Sequence, residues 1–157
     1  MKDFGFNLTT KIEFGKGYIE KAGMFAKKYN AKKVMIVTDK GLLKAGIAGI
    51  VIDSLEKEGI ENTVYDGVRP NPRDKDCIKA GDIAVKEGID FIIAVGGGSS
   101  MDTAKAVASL ITNKGPFSAI LKPNKVAIAP VPLMCIPTTA GTGSEVTSFA
   151  VITLDDE

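Results

Sequence analysis

The chain has 157 residues, 45% hydrophobic and 25% charged, with a net charge of +1 at pH 7. That is the length and balance of one soluble globular domain, and its scattered Lys and Arg exclude a basic nucleic-acid or membrane-binding surface. There is no histidine, and Cys77 and Cys135 stand alone, which excludes Ser-His-Asp and Cys-His nucleophilic arrangements and leaves no zinc set.

The opening MKDFGFNLTT has no apolar run of signal-peptide length. The most apolar segment, 126 to 136, is short and broken by Pro130 and Pro132, so no membrane span is expected. Two distant cysteines suit reduced thiols in a cytoplasmic protein better than a disulfide framework.

Residues 8 to 15 (LTTKIEFG) alternate well enough to predict an edge strand. Apolar residues at 18, 22, 25, 26 and 29 predict an amphipathic helix over 18 to 29. The β-branched run 33 to 38 (KVMIVT) predicts a buried parallel strand with Asp39 at its carboxyl end. Residues 41 to 46 read as a loop or short turn. A helix is predicted over 47 to 58, with Gly59 as its stop. Residues 62 to 65 read as a strand, followed by the turn RPNPR; Asp74 can then cap a helix that runs to Glu87 and ends at Gly88.

The stretch DFIIAVGGGSSMDTAKAVA, 90 to 108, organises the rest. It reads as a buried strand (91 to 95), a turn of three glycines, and a helix that Ser99 or Ser100 can cap. Ala104, Val107, Ala108 and Ile111 recur at helical spacing and face a sheet. Amide groups at such a turn, backed by the helix dipole, suit a phosphate; the same turn can also be a tight connection that binds nothing. Met101 stands where the dinucleotide fingerprint G-x-G-x-x-G has its third glycine.

Residues 113 to 125 read as a surface loop and 126 to 132 as a loop or edge. A strand over 133 to 136 leads into PTTAGTGS, and 146 to 154 (VTSFAVITL) reads as a further strand. With its outer face uncovered, that last strand suggests a piece of something longer. Apolar strands alternating with helices predict an α/β fold, a Rossmann-like, mostly parallel sheet with helices on both faces.

Ligands of such sheets collect beyond the carboxyl ends of the strands. Asp39 there can accept bonds from adenosine ribose hydroxyls and repel a 2′-phosphate, favouring NAD over NADP; it can equally be a loop cap. Thr138, Thr139, Thr142 and Ser144, interleaved with Gly141 and Gly143, offer hydroxyls and amides that bind phosphate without a cation, or form a plain polar turn. Asp102 either favours the helix dipole or faces the cleft. The cysteines read as small core residues, and the helix Lys and Glu residues as solvated faces.

VTDK at 37–40, PNP at 70–72, GGGSSMDTAK at 96–105 and PTTAGTGSEVT at 137–147 together resemble the iron-containing alcohol dehydrogenase family, the group of lactaldehyde, propanediol and butanol dehydrogenases. The match runs in order from about residue 8 to the end. The resemblance implies an N-terminal NAD(P)-binding α/β domain, spanning 1–157 here, and an all-helical domain holding Fe2+ or Zn2+, whose aspartate and histidine ligands this sequence lacks. By position it implies that Asp39 meets the adenosine ribose with Asn71 nearby. Gly97, Gly98 and Ser99 would cradle the pyrophosphate, and Asp102 would lie on the nicotinamide side. Thr138, Thr139 and Thr142 would close over the cofactor, and Thr147, Phe149 and Val151 would line the nicotinamide and substrate end. No catalytic or metal-binding residue is expected in this chain. The substrate implied is a small alcohol or aldehyde, and a homodimer through the strand at 8 to 14 is expected. Two rivals remain: a domain like those of glycerol dehydrogenase and dehydroquinate synthase, and a nucleotide-binding module without catalysis.

Overall fold

Every residue of the strand Phe91–Gly96 is buried, and the sheet is built outward from it. The computed structural model describes residues 10–121 and 126–155. The strands Lys33–Val37 (β1), Glu61–Tyr65 (β2), Phe91–Gly96 (β3) and Leu133–Pro137 (β4) form one four-stranded sheet in the order β2-β1-β3-β4. Each pairing is parallel. The helices are Ala22–Lys28 (α1), Lys40–Lys44 (α2), Ile47–Lys57 (α3), Asp74–Glu87 (α4) and Gly98–Thr112 (α5).

The two-residue period of a strand divides the core. Val34, Ile36, Phe91, Ile93 and Val95 pack with Ala22 and Ala26 of α1 and Val51 and Leu55 of α3. Met35, Val37, Ile92 and Ala94 face the other way, onto Ala80 and Ala84 of α4 and Met101, Ala104 and Val107 of α5. A strand buried on both faces has no polar side, which is why β1 and β3 read as continuous apolar runs. The expected α/β architecture is present. Among the described residues no helix is long and apolar enough to cross a membrane.

Several local expectations are corrected. Residues 8 and 9 of the expected N-terminal strand lie outside the described residues, and 10 to 15 join no sheet; β2 and β4 are the edges. The loop expected at 41 to 46 is partly the short helix α2, because Asp39 caps it with bonds from Gly41 N (2.8 Å) and Leu42 N (3.0 Å). Arg73, not Asp74, is the N-cap residue of α4; Asp74 is its first helical residue and accepts from Lys75 N at 2.7 Å. Neither Ser99 nor Ser100 caps α5, since Gly97 holds that position and has no side chain to offer. Residues 117 to 119, within the expected surface loop, form a single 3-10 turn.

The largest correction is at 146 to 154, where only Thr153 makes a bridge, to Arg73. Left-handed glycines (Gly141 φ 92°, Gly143 φ 66°) and a 3-10 turn at Ser144–Val146 turn the chain away from β4. Its backbone donors then find partners other than a ladder: Val151 N on Asp102 Oδ2 (3.0 Å), Thr153 N on Pro72 O (2.8 Å) and Asp155 N on Asp74 Oδ1 (3.3 Å). Backbone groups withdrawn from water need partners, and here two carboxylates and one backbone carbonyl supply them.

Candidate functional site

With the order β2-β1-β3-β4, the chain leaves β1 towards one edge and β3 towards the other. Such a switch point opens a crevice at the carboxyl ends of those two strands. The turn after β1 and the glycine turn after β3 flank it. Asp39 stands on the first, half-buried; both of its cap bonds fall on Oδ1, leaving Oδ2 without a hydrogen-bond partner among the described residues. The capping reading of Asp39 is therefore realised, with one oxygen to spare. Beside it Thr38 is fully buried, its N–H donating to Tyr65 O at 2.9 Å, while its hydroxyl has no partner among the described residues.

The glycine turn is held closely to both neighbours. Gly96 has φ 154°, and a Cβ there would run into the Ser100 side chain and approach Leu42 Cδ1 of α2 to 3.3 Å. Thr138 N donates to Gly96 O at 3.0 Å, which ties the threonine loop to the turn. A Cβ on Gly97 would stand 3.0 Å from Thr139 Oγ1, and one on Gly98 would stand 3.8 Å from Thr142. The two glycine-rich loops thus face each other, with hydroxyls on one side and the first-turn amides of α5 on the other. Those amides carry no side-chain cap, so their donors and the positive helix end are available to an anion. Ser99 lies on this first turn, half-buried.

Asp102 is held by partners within the chain. Its carboxylate accepts from Ser144 Oγ (2.5 Å) and Lys105 Nζ (3.4 Å) on one oxygen and from Val151 N (3.0 Å) on the other. Lys105 is the residue that the sequence reading missed. It belongs to no solvated face: its side chain is 12% exposed, against 14% for Asp102. The readable signal was the i,i+3 spacing of Asp102 and Lys105; its other partners lie 39 to 44 residues downstream.

Thr147, Phe149 and Val151 are brought to the same end of the molecule, on the segment that crosses α5. Phe149 is 68% and Val151 77% exposed, so their side chains point to solvent while their backbones are held. Asn71 lies on the β2–α4 turn with φ 55° and is exposed, on the far side of β1 from the glycine turn. Next to it the tail is fastened: Asp155 pairs with Arg73 (2.5 Å) and Lys75 (3.4 Å), and the Arg73 guanidinium holds the Asp155 carboxyl below the usual carboxylate range.

Away from this edge, a cavity of about 470 Å³ lies between the outer faces of α4 and α5 and residues 113–117, lined by Ile78, Val85, Leu110 and Phe117 among others. It sits at the opposite end of α5 from the glycine turn and holds none of the residues described above. Burial pushes the Cys77 thiol up to about 12 and the Cys135 thiol to about 11. Both are core thiols, not nucleophiles. Among the described residues no three His, Cys, Asp or Glu side chains gather as a metal-holding group.

A parallel α/β sheet with a glycine turn at its switch point belongs to the class of open α/β domains whose ligands collect at the carboxyl ends of the strands. The family model for iron-containing alcohol dehydrogenases matches residues 9–157, and the chain belongs to that family. It is 42% identical over 155 residues to the choline dehydrogenase of Bacillus subtilis, covering 97% of this chain and 38% of that protein. The crystal structure of the NADH-dependent butanol dehydrogenase A of Thermotoga maritima superimposes with a TM-score of 0.90 at 36% identity, over 98% of this chain and 39% of that one. A sulfoacetaldehyde reductase from Bifidobacterium kashiwanohense, solved in complex with NAD+, gives a TM-score of 0.83 at 31% identity, over 94% and 39%. The chain therefore spans about two-fifths of the length of these relatives.

Proposed function

We propose that this chain is the NAD-binding part of a dehydrogenase that interconverts small alcohols and aldehydes. One observation carries the reading: the first-turn amides of α5 at the switch point carry no side-chain cap, and Thr139 and Thr142 pack close beside them from the β4 side, 3.0 Å and 3.8 Å from where a Cβ on Gly97 or Gly98 would stand. The unpartnered Thr38 hydroxyl and Asp39 Oδ2 beside it fit a ligand rich in hydroxyl groups. The relatives' NADH-dependence and bound NAD+ give the same ligand class.

When bound, NAD supplies the hydride acceptor. The chain's own residues bind and orient it. The amides of Gly98 and Ser99, with the α5 dipole, take the pyrophosphate. Asp39 Oδ2 accepts from the adenosine ribose and disfavours a 2′-phosphate. Asn71 stands at the adenosine end, and Thr138, Thr139 and Thr142 close the other wall. The segment bearing Thr147, Phe149 and Val151 borders the nicotinamide, with Asp102 beneath it.

A divalent metal finds no fit here: the sequence has no histidine and the described residues no donor cluster. The chemistry this chain supplies is binding and orientation, and in our reading the metal site of the enzyme stands on other residues. Titration of the chain with NADH, followed by the cofactor's fluorescence, tests the reading. Saturable binding that NAD competes for is expected, with NADPH weaker. No binding of either dinucleotide overturns it.

A further inference from the structure

Between Ser144 and Val151 the chain makes no regular element beyond one 3-10 turn, yet its polar groups converge on two side chains of α5. Lys105 Nζ donates to Phe149 O (2.6 Å), Ser144 Oγ (3.0 Å) and Thr147 Oγ1 (3.3 Å), and lies 3.4 Å from Asp102 Oδ1. Asp102 accepts from Ser144 Oγ (2.5 Å) and Val151 N (3.0 Å). An ammonium has three donors and no acceptor, so Lys105 is spent on oxygens of its own chain. A charge this far from water persists only with such partners. The ion pair thus replaces the missing strand ladder as the fastening of 144–151, with Phe149 and Val151 exposed on its outer side.

We propose that Lys105 is a positioning residue: it latches segment 144–151 across α5 and thereby shapes the nicotinamide half of the cofactor site without touching the cofactor. The inference rests on the NAD-binding reading above. The adenosine and pyrophosphate half is built from the β1 turn and the first turn of α5 and makes none of these contacts. A latch of this kind therefore acts on one half of the dinucleotide only.

The test compares ADP-ribose with NADH on the full 157-residue chain and its Lys105→Met variant, and reads hydrogen exchange at the Val151 amide. In the variant, ADP-ribose affinity should stay within about twofold while NADH weakens about tenfold, the scale of one charge-assisted contact. Exchange at Val151 should speed up by about tenfold or more as local opening becomes easier. Equal loss for both ligands, or no loss for either, overturns the positioning role; unchanged exchange at Val151 overturns the latch. A wild-type chain that binds neither ligand overturns the NAD reading instead, and Val151 exchange then still decides the latch. Should Lys105→Met fail to fold, Ser144→Ala, which removes the hydroxyl between Lys105 and Asp102, must give the same pattern at smaller size, about threefold on NADH alone, with faster Val151 exchange; a flat response overturns the proposal.

Discussion

Asp39 caps a helix with one oxygen and is proposed to meet the ribose with the other, and that changes how the proposed role is measured. Oδ1 caps α2 through Gly41 N and Leu42 N, so Asp39→Ala should cost about 1 kcal/mol of stability, as lost caps do. Asp39→Asn keeps a capping oxygen and removes only the charge. It should leave a urea midpoint nearly unchanged while shifting the NADPH-to-NADH affinity ratio upward by about tenfold. An unchanged ratio in Asp39→Asn would show that Oδ2 does not meet the ribose. Gly97→Ala is the companion test on the other wall. Its Cβ would lie 3.0 Å from Thr139 Oγ1, so dinucleotide binding should weaken while the fold survives, measured by titration beside circular dichroism. The roles of Asp102 and Lys105 were half legible. DTAK shows an i,i+3 pair, but nothing in it announces acceptors some forty residues away. Contacts set by tertiary closure leave no local period to read.

At the scale of elements, β1, β3, α3 and α4 were legible because each has one dominant signal: an apolar run, a 3.6-residue period, or a stopping glycine such as Gly88 (φ 70°). Residues 146 to 154 were not, because β-branched composition reports a preference that backbone routing overrides. The α1–α3 contact shows a close approach that sequence reading passes over. Gly23 N donates to Ser54 Oγ (2.9 Å), which donates to Glu20 O (2.7 Å), and a Cβ on Gly23 would overlap the Ser54 carbonyl. Gly23→Ala should therefore destabilise by about 2–4 kcal/mol through overpacking and a stretched buried bond, read from urea unfolding. The two core thiols, on α4 and β4, add a pH dependence of known sign. Their folded values are raised, to about 12 and about 11, above the ordinary thiol value near 8.5. Below that ordinary value both states hold the proton and the stability is intact. As pH rises beyond it the unfolded thiols ionise first, so stability falls, by at most about 1.4 kcal/mol per pH unit per thiol. Unfolding midpoints at pH 7.5, 9 and 10 should drop more steeply in the wild type than in a Cys77→Ala/Cys135→Ala variant. Equal slopes would mean that the thiols ionise freely in the native state.

For the molecule as a whole, the sheet's carboxyl edge gathers the groups that the proposed reading uses for binding. The turns after β1 and β3 present backbone amides and one spare carboxylate oxygen, the loop after β4 adds hydroxyls, and in the proposed reading these hold a dinucleotide in place. The charged groups nearest its nicotinamide side, Asp102 and Lys105, are occupied with each other and with the tail. The sequence has no histidine to act as a general acid or base. Binding and turnover should therefore separate. At an NAD concentration of about one hundred times its dissociation constant, ligand linkage adds about 2.7 kcal/mol to the folded state. For a chain of this length that raises the melting temperature by about 5–10 °C. Butan-1-ol oxidation by the same sample, followed as NADH appearance, should stay at background with or without Fe2+ or Zn2+ added. A thermal shift without turnover identifies the chain as the holder of the cofactor. Metal-dependent turnover would instead mean that side chains on this sheet edge assemble a reactive centre that their present hydrogen bonds do not show.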